Sequence, residues 1–305
     1  MREKPPHIVK TVDVVLLLIC FLLIGSCDSR VEKKIDPDVV FVTTPHKVVR
    51  EMLKLAGVTQ HDVVYDLGSG DGRIVIAAAR DFGARAVGIE VDPKLISESN
   101  EHARKAMVSD RVAFIEQDVL KADISRATVI ALYMLPAVNR QLLPKFLSEL
   151  QPGTRVVSHR FGIGDWKPDM TLSAFDTTVY LWTVPADVHG EWRVSLRNDR
   201  EAREYGLTLQ QKYQEIQGSV SDGTTRHALT GAELQGREIF ISVADTVGGQ
   251  RFLLELEGLV KGDVLEGAAS ITDVRHPLPA RFTWRAVRAS TEHKQNKKQG
   301  GGGNQ

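Results

Sequence analysis

The stretch Val63-Val64-Tyr65-Asp66-Leu67-Gly68-Ser69-Gly70-Asp71-Gly72-Arg73-Ile74 runs from an apolar strand through a glycine-rich turn into an apolar helix. Glycines at Gly68, Gly70 and Gly72 let a ligand approach the backbone closely, and the helix N-terminus beyond them presents unpaired N–H groups. A dinucleotide-binding turn would read Gly-x-Gly-x-x-Gly, but Arg73 stands where the third glycine belongs. Asp66 and Asp71 bracket the turn with negative charge. That charge repels a diphosphate and suits a ligand carrying an ammonium or a sulfonium.

Working outward, Thr44 as N-cap and Pro45 in the first turn predict a helix with the apolar face Val48, Val49, Met52 and Leu53, closed by Gly57. Strands are expected at 62–67, 86–91, 112–116, 128–135 and 154–159. Asp92-Pro93 opens a second helix through Leu95, Ile96 and Ala103, and residues 137–150 form another, with Pro144 as a kink or break. A last strand, 178–184, pairs antiparallel at the sheet edge. This alternation predicts an α/β domain over residues 41–185, its parallel sheet covered by helices. From 186 to 288 the pattern changes to short alternating segments separated by Gly, Asp and Asn turns, which predicts an all-β domain, barrel or sandwich. No repeat of solenoid period is visible.

Lys plus Arg and Asp plus Glu are 39 each, so no global positive field exists to hold DNA or RNA, and nucleic acid is not expected as a partner. Both cysteines, Cys20 and Cys27, lie near the N-terminus, which leaves the folded part without a disulfide, a thiolate nucleophile or a cysteine-based metal site. Arg2, Lys4 and Lys10 precede an apolar run, Val14 to Gly25, too short for the roughly 20 residues of a membrane span. It fits the apolar region of a signal peptide. Residues 1–27 are therefore read as a signal peptide or anchor giving membrane association at a bacterial cell envelope, and 28–40 as a linker. The segment Ile24-Gly25-Ser26-Cys27 resembles the lipobox of bacterial lipoproteins. Residues 289–305, rich in Gly, Gln, Lys and Asn, are read as a disordered tail.

The segment Asp66 to Arg73 looks like motif I of the class I, Rossmann-like methyltransferases, and other features follow in the order of that family. The resemblance implies S-adenosyl-L-methionine as cofactor. It assigns Glu90, ending the second strand, to the ribose hydroxyls and Asp118, after the third, to the adenine amino group. Phe41-Val42-Thr43-Thr44-Pro45, Leu132-Tyr133-Met134-Leu135-Pro136 and Gly153-Thr154-Arg155-Val156-Val157-Ser158-His159 with Asp165-Trp166 narrow the likeness. Together they resemble the small lysine methyltransferases acting on the ATP synthase c-subunit and the adenine nucleotide translocase, and their bacterial homologues. This implies a protein-lysine acceptor, with Thr43, Asp66, Gly68, Gly70, Gly72, Glu90 and Asp118 at the cofactor.

For the acceptor, Tyr133 and His159 are the candidate catalytic residues, with Phe161 and Trp166 completing an aromatic pocket that lowers the pKa of a lysine amine. Catalysis of this kind rests on alignment and desolvation and needs no obligatory acid or base. The Asn/Asp-Pro-Pro-Tyr sequence expected of enzymes methylating DNA base amines is lacking after the fourth strand. Gly190-Glu191-Trp192 and Trp284-Arg285 are similar to stretches of lipocalin-like barrels, where a tryptophan more often packs a barrel end than lines a ligand site. Two other readings stay open on sequence alone: an envelope lipoprotein whose Rossmann-like domain only binds, and a methyltransferase acting on a small molecule.

Overall fold

Strand β1 (Val63–Leu67) is buried along nearly its whole length, as a central strand covered on both faces must be. Val64 points into one apolar layer, while Tyr65 and Leu67 point into the other. The computed structural model describes residues 43–247, 250–273 and 276–289. The signal-peptide, lipobox and linker expectations, and all of the tail but its first residue, lie outside the described residues.

Beside β1 run β2 (Arg85–Glu90) and β4 (Val129–Leu132), both parallel to it. Parallel strands β3 (Val112–Glu116) and β5 (Arg155–His159) flank those. Antiparallel β7 (Thr177–Thr183) and then β6 (Met170–Ala174) complete the order β3-β2-β1-β4-β5-β7-β6. Helices α1 (His46–Leu55) and α2 (Arg73–Phe82) bury Val48, Met52, Leu53 and Val75 on one face. Helix α3 (Pro93–Lys105) packs beside α2 through Ala103. Helix α4 (Pro136–Glu149) buries Leu142, Leu143 and Phe146 on the other face. This is the class I methyltransferase architecture, with the carboxyl ends of β1, β2, β4 and β5 at one edge of the sheet.

Several local expectations are corrected. Thr44 does not cap α1: Pro45 holds the cap position without a side-chain bond, and the Thr44 hydroxyl is engaged with His159 instead. Strand β4 stops at Leu132, so Tyr133 to Leu135 form a loop at the sheet edge, and Leu135 is exposed. Pro144 lies inside α4 without ending it. The missing backbone bond costs about 3 kcal/mol, and the buried neighbours Leu142, Leu143 and Phe146 offset it. Strand β7 is not the edge. The largely exposed β6 lies outside it, and its alternation, Met170-Thr171-Leu172-Ser173-Ala174, spans only five residues, too short a run to stand out as a strand.

Strands β8 (Gly190–Arg197), β9 (Ala202–Lys212), β10 (Glu215–Ser221), β11 (Arg226–Ala228), β12 (Gly231–Gln235), β13 (Glu238–Val247), β14 (Gln250–Lys261), β15 (Val264–Asp273) and β16 (His276–Arg288) form a second sheet. It is antiparallel throughout, in the order β11-β10-β9-β8-β16-β15-β14-β13-β12. The sheet curls until β10 lies near β12 and β11 near β13, giving a half-barrel rather than two packed sheets. Its inside is filled by Trp192, Leu196, Leu207, Ile241, Leu265 and Trp284. The Trp192 and Trp284 indole N–H groups donate to the carbonyls of Val188 and Glu257, at 3.0 and 2.8 Å. The Arg288 guanidinium covers the Trp192 ring at 4.3 Å. Both tryptophans pack the interior. Among the described residues no helix is long and apolar enough to cross a membrane.

Candidate functional site

The glycine-rich turn folds back onto β2, where the N–H groups of Gly68 and Ser69 both donate to the Ile89 carbonyl, at 2.8 and 3.0 Å. Gly68 and Gly72 each have φ of +79°, a conformation that disfavours a side chain. Space is also short: a Cβ at Gly68 would sit 2.6 Å from the Met134 Sδ, and one at Gly72 would sit 2.8 Å from the Phe114 ring. The turn is thus clamped between the β4–α4 loop and β3.

Glu90 reaches under the turn from the end of β2. Its Oε2 accepts from the Gly70 N–H at 2.9 Å, and its Oε1 accepts from Val91 and Asp92 N–H at 2.8 and 3.1 Å. Three donors leave one of the roughly four acceptor positions of a carboxylate open. In this arrangement one ligand hydroxyl can be accepted without displacing an amide. Asp66 is completely enclosed, and burial pushes its carboxyl well above the usual range, helped by the negative charges of Glu90 and Asp71.

The two aspartates that bracket the turn are not equivalent. Arg73 forks onto Asp71, with Nε to Oδ1 at 2.9 Å and Nη2 to Oδ2 at 2.5 Å, and its Nη1 donates to the Thr44 carbonyl at 2.9 Å. Burial works to raise the Asp71 carboxyl, but the bonds and charge of Arg73 outweigh it and hold it below the usual range. Arg73, where a dinucleotide site has glycine, therefore ties the turn to the segment preceding α1. Asp66 and Glu90 form no ion pair among the described residues. The pocket's uncompensated acidity comes from those two, one of them held toward its neutral form, rather than from Asp66 and Asp71.

Asp118 lies beyond β3, its Oδ1 accepting from the Leu120 N–H at 2.9 Å and its Oδ2 facing Lys121 Nζ at 3.9 Å. Thr43, the first described residue, is partly buried beside Thr44. These positions, with Gly68, Gly70, Gly72 and Glu90, converge on the carboxyl edge of the sheet. A buried acidic pair with no cation of its own, next to an open glycine turn, fits a nucleoside ligand that brings positive charge.

Tyr133, His159 and Phe161 gather a few residues along the same edge. The Tyr133 ring lies 4.1 Å from that of His159 and 6.1 Å, stacked, from that of Phe161. His159 is 4% exposed, with Nδ1 3.2 Å from the Thr44 hydroxyl and Nε2 3.0 Å from the Thr177 hydroxyl. Burial lowers its pKa, and the neighbouring Arg160 charge lowers it further, so the ring is held neutral between two hydroxyls. Arg160 follows with φ of +69°, in a turn closed by the Phe161 N–H donating to the His159 carbonyl at 2.8 Å. Ser158 Oγ donates to the Phe161 carbonyl at 2.7 Å, and Asn139 Nδ2 to the Gly162 carbonyl at 3.1 Å. The loop carrying Phe161 is pinned from three sides.

Trp166 does not join this cluster. It is buried against Trp182 and Tyr213, with ring centroids 6.0 and 5.9 Å away, and its indole N–H donates to Gln214 Oε1 at 2.7 Å. Thr177, Asn139, Tyr213 and Gln214 were not foreseen from sequence. The first two are ordinary polar residues beside predicted elements, and the last two lie in the second sheet, more than 45 residues further along the chain.

The ANTKMT methyltransferase domain family matches residues 66–170 of this chain. A protein-lysine N-methyltransferase of Saccharolobus islandicus (strain REY15A) is 46% identical over 153 residues, which cover 48% of this chain and 95% of that protein. The ATP synthase c-subunit lysine N-methyltransferase of Xenopus laevis is 36% identical over 49% of this chain and 64% of its own length. A solved structure described as an RNA methyltransferase from Salinibacter ruber, in complex with S-adenosyl-L-homocysteine, is 54% identical over 48% of this chain and 96% of its own, with a TM-score of 0.48. The family match begins at Asp66 of the glycine turn and takes in Glu90, Asp118, Tyr133, His159 and Phe161. With the archaeal relative aligned over almost its whole length, this chain belongs to the ANTKMT methyltransferase family and is an S-adenosylmethionine-dependent methyltransferase.

Proposed function

We propose that the enzyme methylates the ε-amine of a lysine in a protein. The observation carrying this reading is the acceptor side of the site: the stacked rings of Tyr133 and Phe161 beside a histidine already engaged at both ring nitrogens. When bound, S-adenosylmethionine supplies a methyl group on a cationic sulfur, which keeps the electron pair of the broken carbon–sulfur bond as the amine nitrogen bonds to carbon. Glu90 would accept a ribose hydroxyl, Asp118 would take the adenine amino group, and the Gly68 to Gly72 turn, with Thr43 nearby, would give the methionine end close backbone approach. Glu90 would complement the ligand's positive charge, and that charge would in turn favour ionisation of the buried Asp66.

Tyr133 and Phe161 desolvate the incoming amine, which lowers its pKa so that it sheds its proton to water before attack. Their ring faces also accommodate the cationic product. His159 orients Tyr133 and is not used as a base. The archaeal and amphibian relatives, both lysine N-methyltransferases, support the acceptor class. The test is incubation of the full chain with methyl-labelled S-adenosylmethionine and a membrane-protein extract, followed by hydrolysis and amino-acid analysis. Label in methyllysine is expected, and label confined to RNA or to small molecules would overturn the reading.

We further propose that residues 1–27 bring the enzyme to a membrane of the cell envelope, as their apolar run between basic residues supports. Because the cofactor is made in the cytosol, the catalytic domain has to have access to that side. Protease protection of sealed vesicles tests this: cleavage of the catalytic domain only from the non-cytosolic side would refute it.

A further inference from the structure

Strands β9 and β10 are joined by a two-residue turn, Tyr213-Gln214, between the paired residues Lys212 and Glu215. Tyr213 adopts φ of +57°, a position where such turns favour glycine and where a side chain costs about 1–2 kcal/mol. The tip is therefore ill suited to making a turn and well suited to gripping something. It grips the segment after β5. Gln214 Nε2 donates to the Lys167 carbonyl at 2.8 Å and to Asp169 Oδ1 at 3.0 Å, while its Oε1 receives the buried Trp166 indole N–H. Tyr213 Oη donates to Asp165 Oδ1 at 2.6 Å, and Lys212 pairs with Asp165 at 2.7 Å. Trp166 in turn closes a bridge with Ile163, two residues beyond Phe161.

We propose that the half-barrel serves the methyl transfer by holding the acceptor loop: Tyr213 and Gln214 are positioning residues that fix Phe161 against Tyr133 through Trp166. The inference rests on the acceptor pocket assigned above. The loop is anchored at its near end by β5 and Asn139, and at its far end both by β7, whose Trp182 indole N–H donates to the Trp166 carbonyl at 2.9 Å, and by residues of a different sheet. Without Gln214 the Trp166 N–H is left buried and unpaired, and the far end of the loop keeps its bonds to β7 but loses the hold of the second sheet. The cofactor half of the site, built on β1 and β2, makes no bond to this turn and is not affected.

The test uses the full chain with Gln214→Ala and, separately, the pair Tyr213→Gly with Gln214→Ser, which favours the turn and so keeps the hairpin while removing the grip. Three quantities are read: affinity for S-adenosylhomocysteine by calorimetry, amide hydrogen exchange over residues 160–169, and methyl transfer to the membrane-protein extract at varied extract concentration. Expected are an unchanged affinity within twofold, exchange at least tenfold faster, and an apparent KM for the extract raised fivefold or more at unchanged KM for S-adenosylmethionine. Unchanged exchange and unchanged acceptor KM would overturn the proposal, as would a parallel loss of cofactor affinity. Faster exchange at constant affinity, in an enzyme whose wild type labels no lysine, supports the grip while refuting the lysine reading.

Discussion

Replacing Glu90 by Ala separates the two jobs this carboxylate performs. It accepts three backbone N–H bonds, but Val91 and Asp92 are exposed and turn to water when it is removed. Only the Gly70 N–H is buried, so the free enzyme loses about 1–3 kcal/mol for one orphaned donor. Part of that is recovered because Asp66 no longer faces a second negative charge. A net loss of about 1–2 kcal/mol lowers the melting temperature by roughly 2–8 °C. The ligand loses more: a hydrogen bond to an ionised acceptor contributes about 1.5–3 kcal/mol, or roughly 10- to 150-fold in Kd. Calorimetric titration with S-adenosylhomocysteine, beside thermal melting of the same preparation, reads both. A Kd within threefold of wild type, with the melting temperature lowered, would refute the reasoning and leave Glu90 as a purely structural clamp on the turn.

Other substitutions test the remaining parts of the site. Asp66 retains a proton that the unfolded chain has lost above about pH 3.8, so native stability falls as pH rises through the raised native pKa. Asp66→Asn removes that dependence: the variant is expected to melt above wild type at pH 9, show little gain near pH 4, and bind S-adenosylhomocysteine at least tenfold more weakly. Tyr133→Ala takes away one face of the aromatic pocket, and methyl transfer is expected to fall at least tenfold with cofactor affinity unchanged, as single-turnover assays and calorimetry would reveal. Gly72→Ala meets both a positive φ and the Phe114 ring, and urea unfolding is expected to show a loss of about 2–4 kcal/mol.

Much of the α/β domain could be read from the chain because its signals are local. The apolar run of β1 meeting three closely spaced glycines, Asp92-Pro93 opening α3 and Glu90 ending β2 all sit within a few residues of the feature they specify. The cofactor side of the site inherits that legibility. Its charge distribution does not, because the burial of Asp66 and the pairing of Asp71 with Arg73 depend on packing from α1 and β2. The acceptor side was legible only as a set of aromatic residues. Trp166 is equivalent to Phe161 in sequence, and packing against Trp182 and Tyr213 with the bond to Gln214 draws it away. Strand β6 alternates apolar and polar residues over only five positions, too few to stand out from a loop. The curl of the β region could not be read either, since period-2 alternation gives strands without saying whether one sheet bends or two stack.

The last described strand of the chain, β16, is not at an edge of the half-barrel but between β8 and β15. Its partner β8 begins at Gly190, so a growing polypeptide makes one flank of this seam long before the strand that fills it. Until residues 276–288 emerge from the ribosome, β8 and β15 each present a row of unsatisfied amides and carbonyls, and Trp192 of the interior lacks its cover. A chain ending before that strand would keep both halves of the sheet, touching only where β10 and β11 approach β12 and β13, which makes residues 276–288 the keystone of the whole domain.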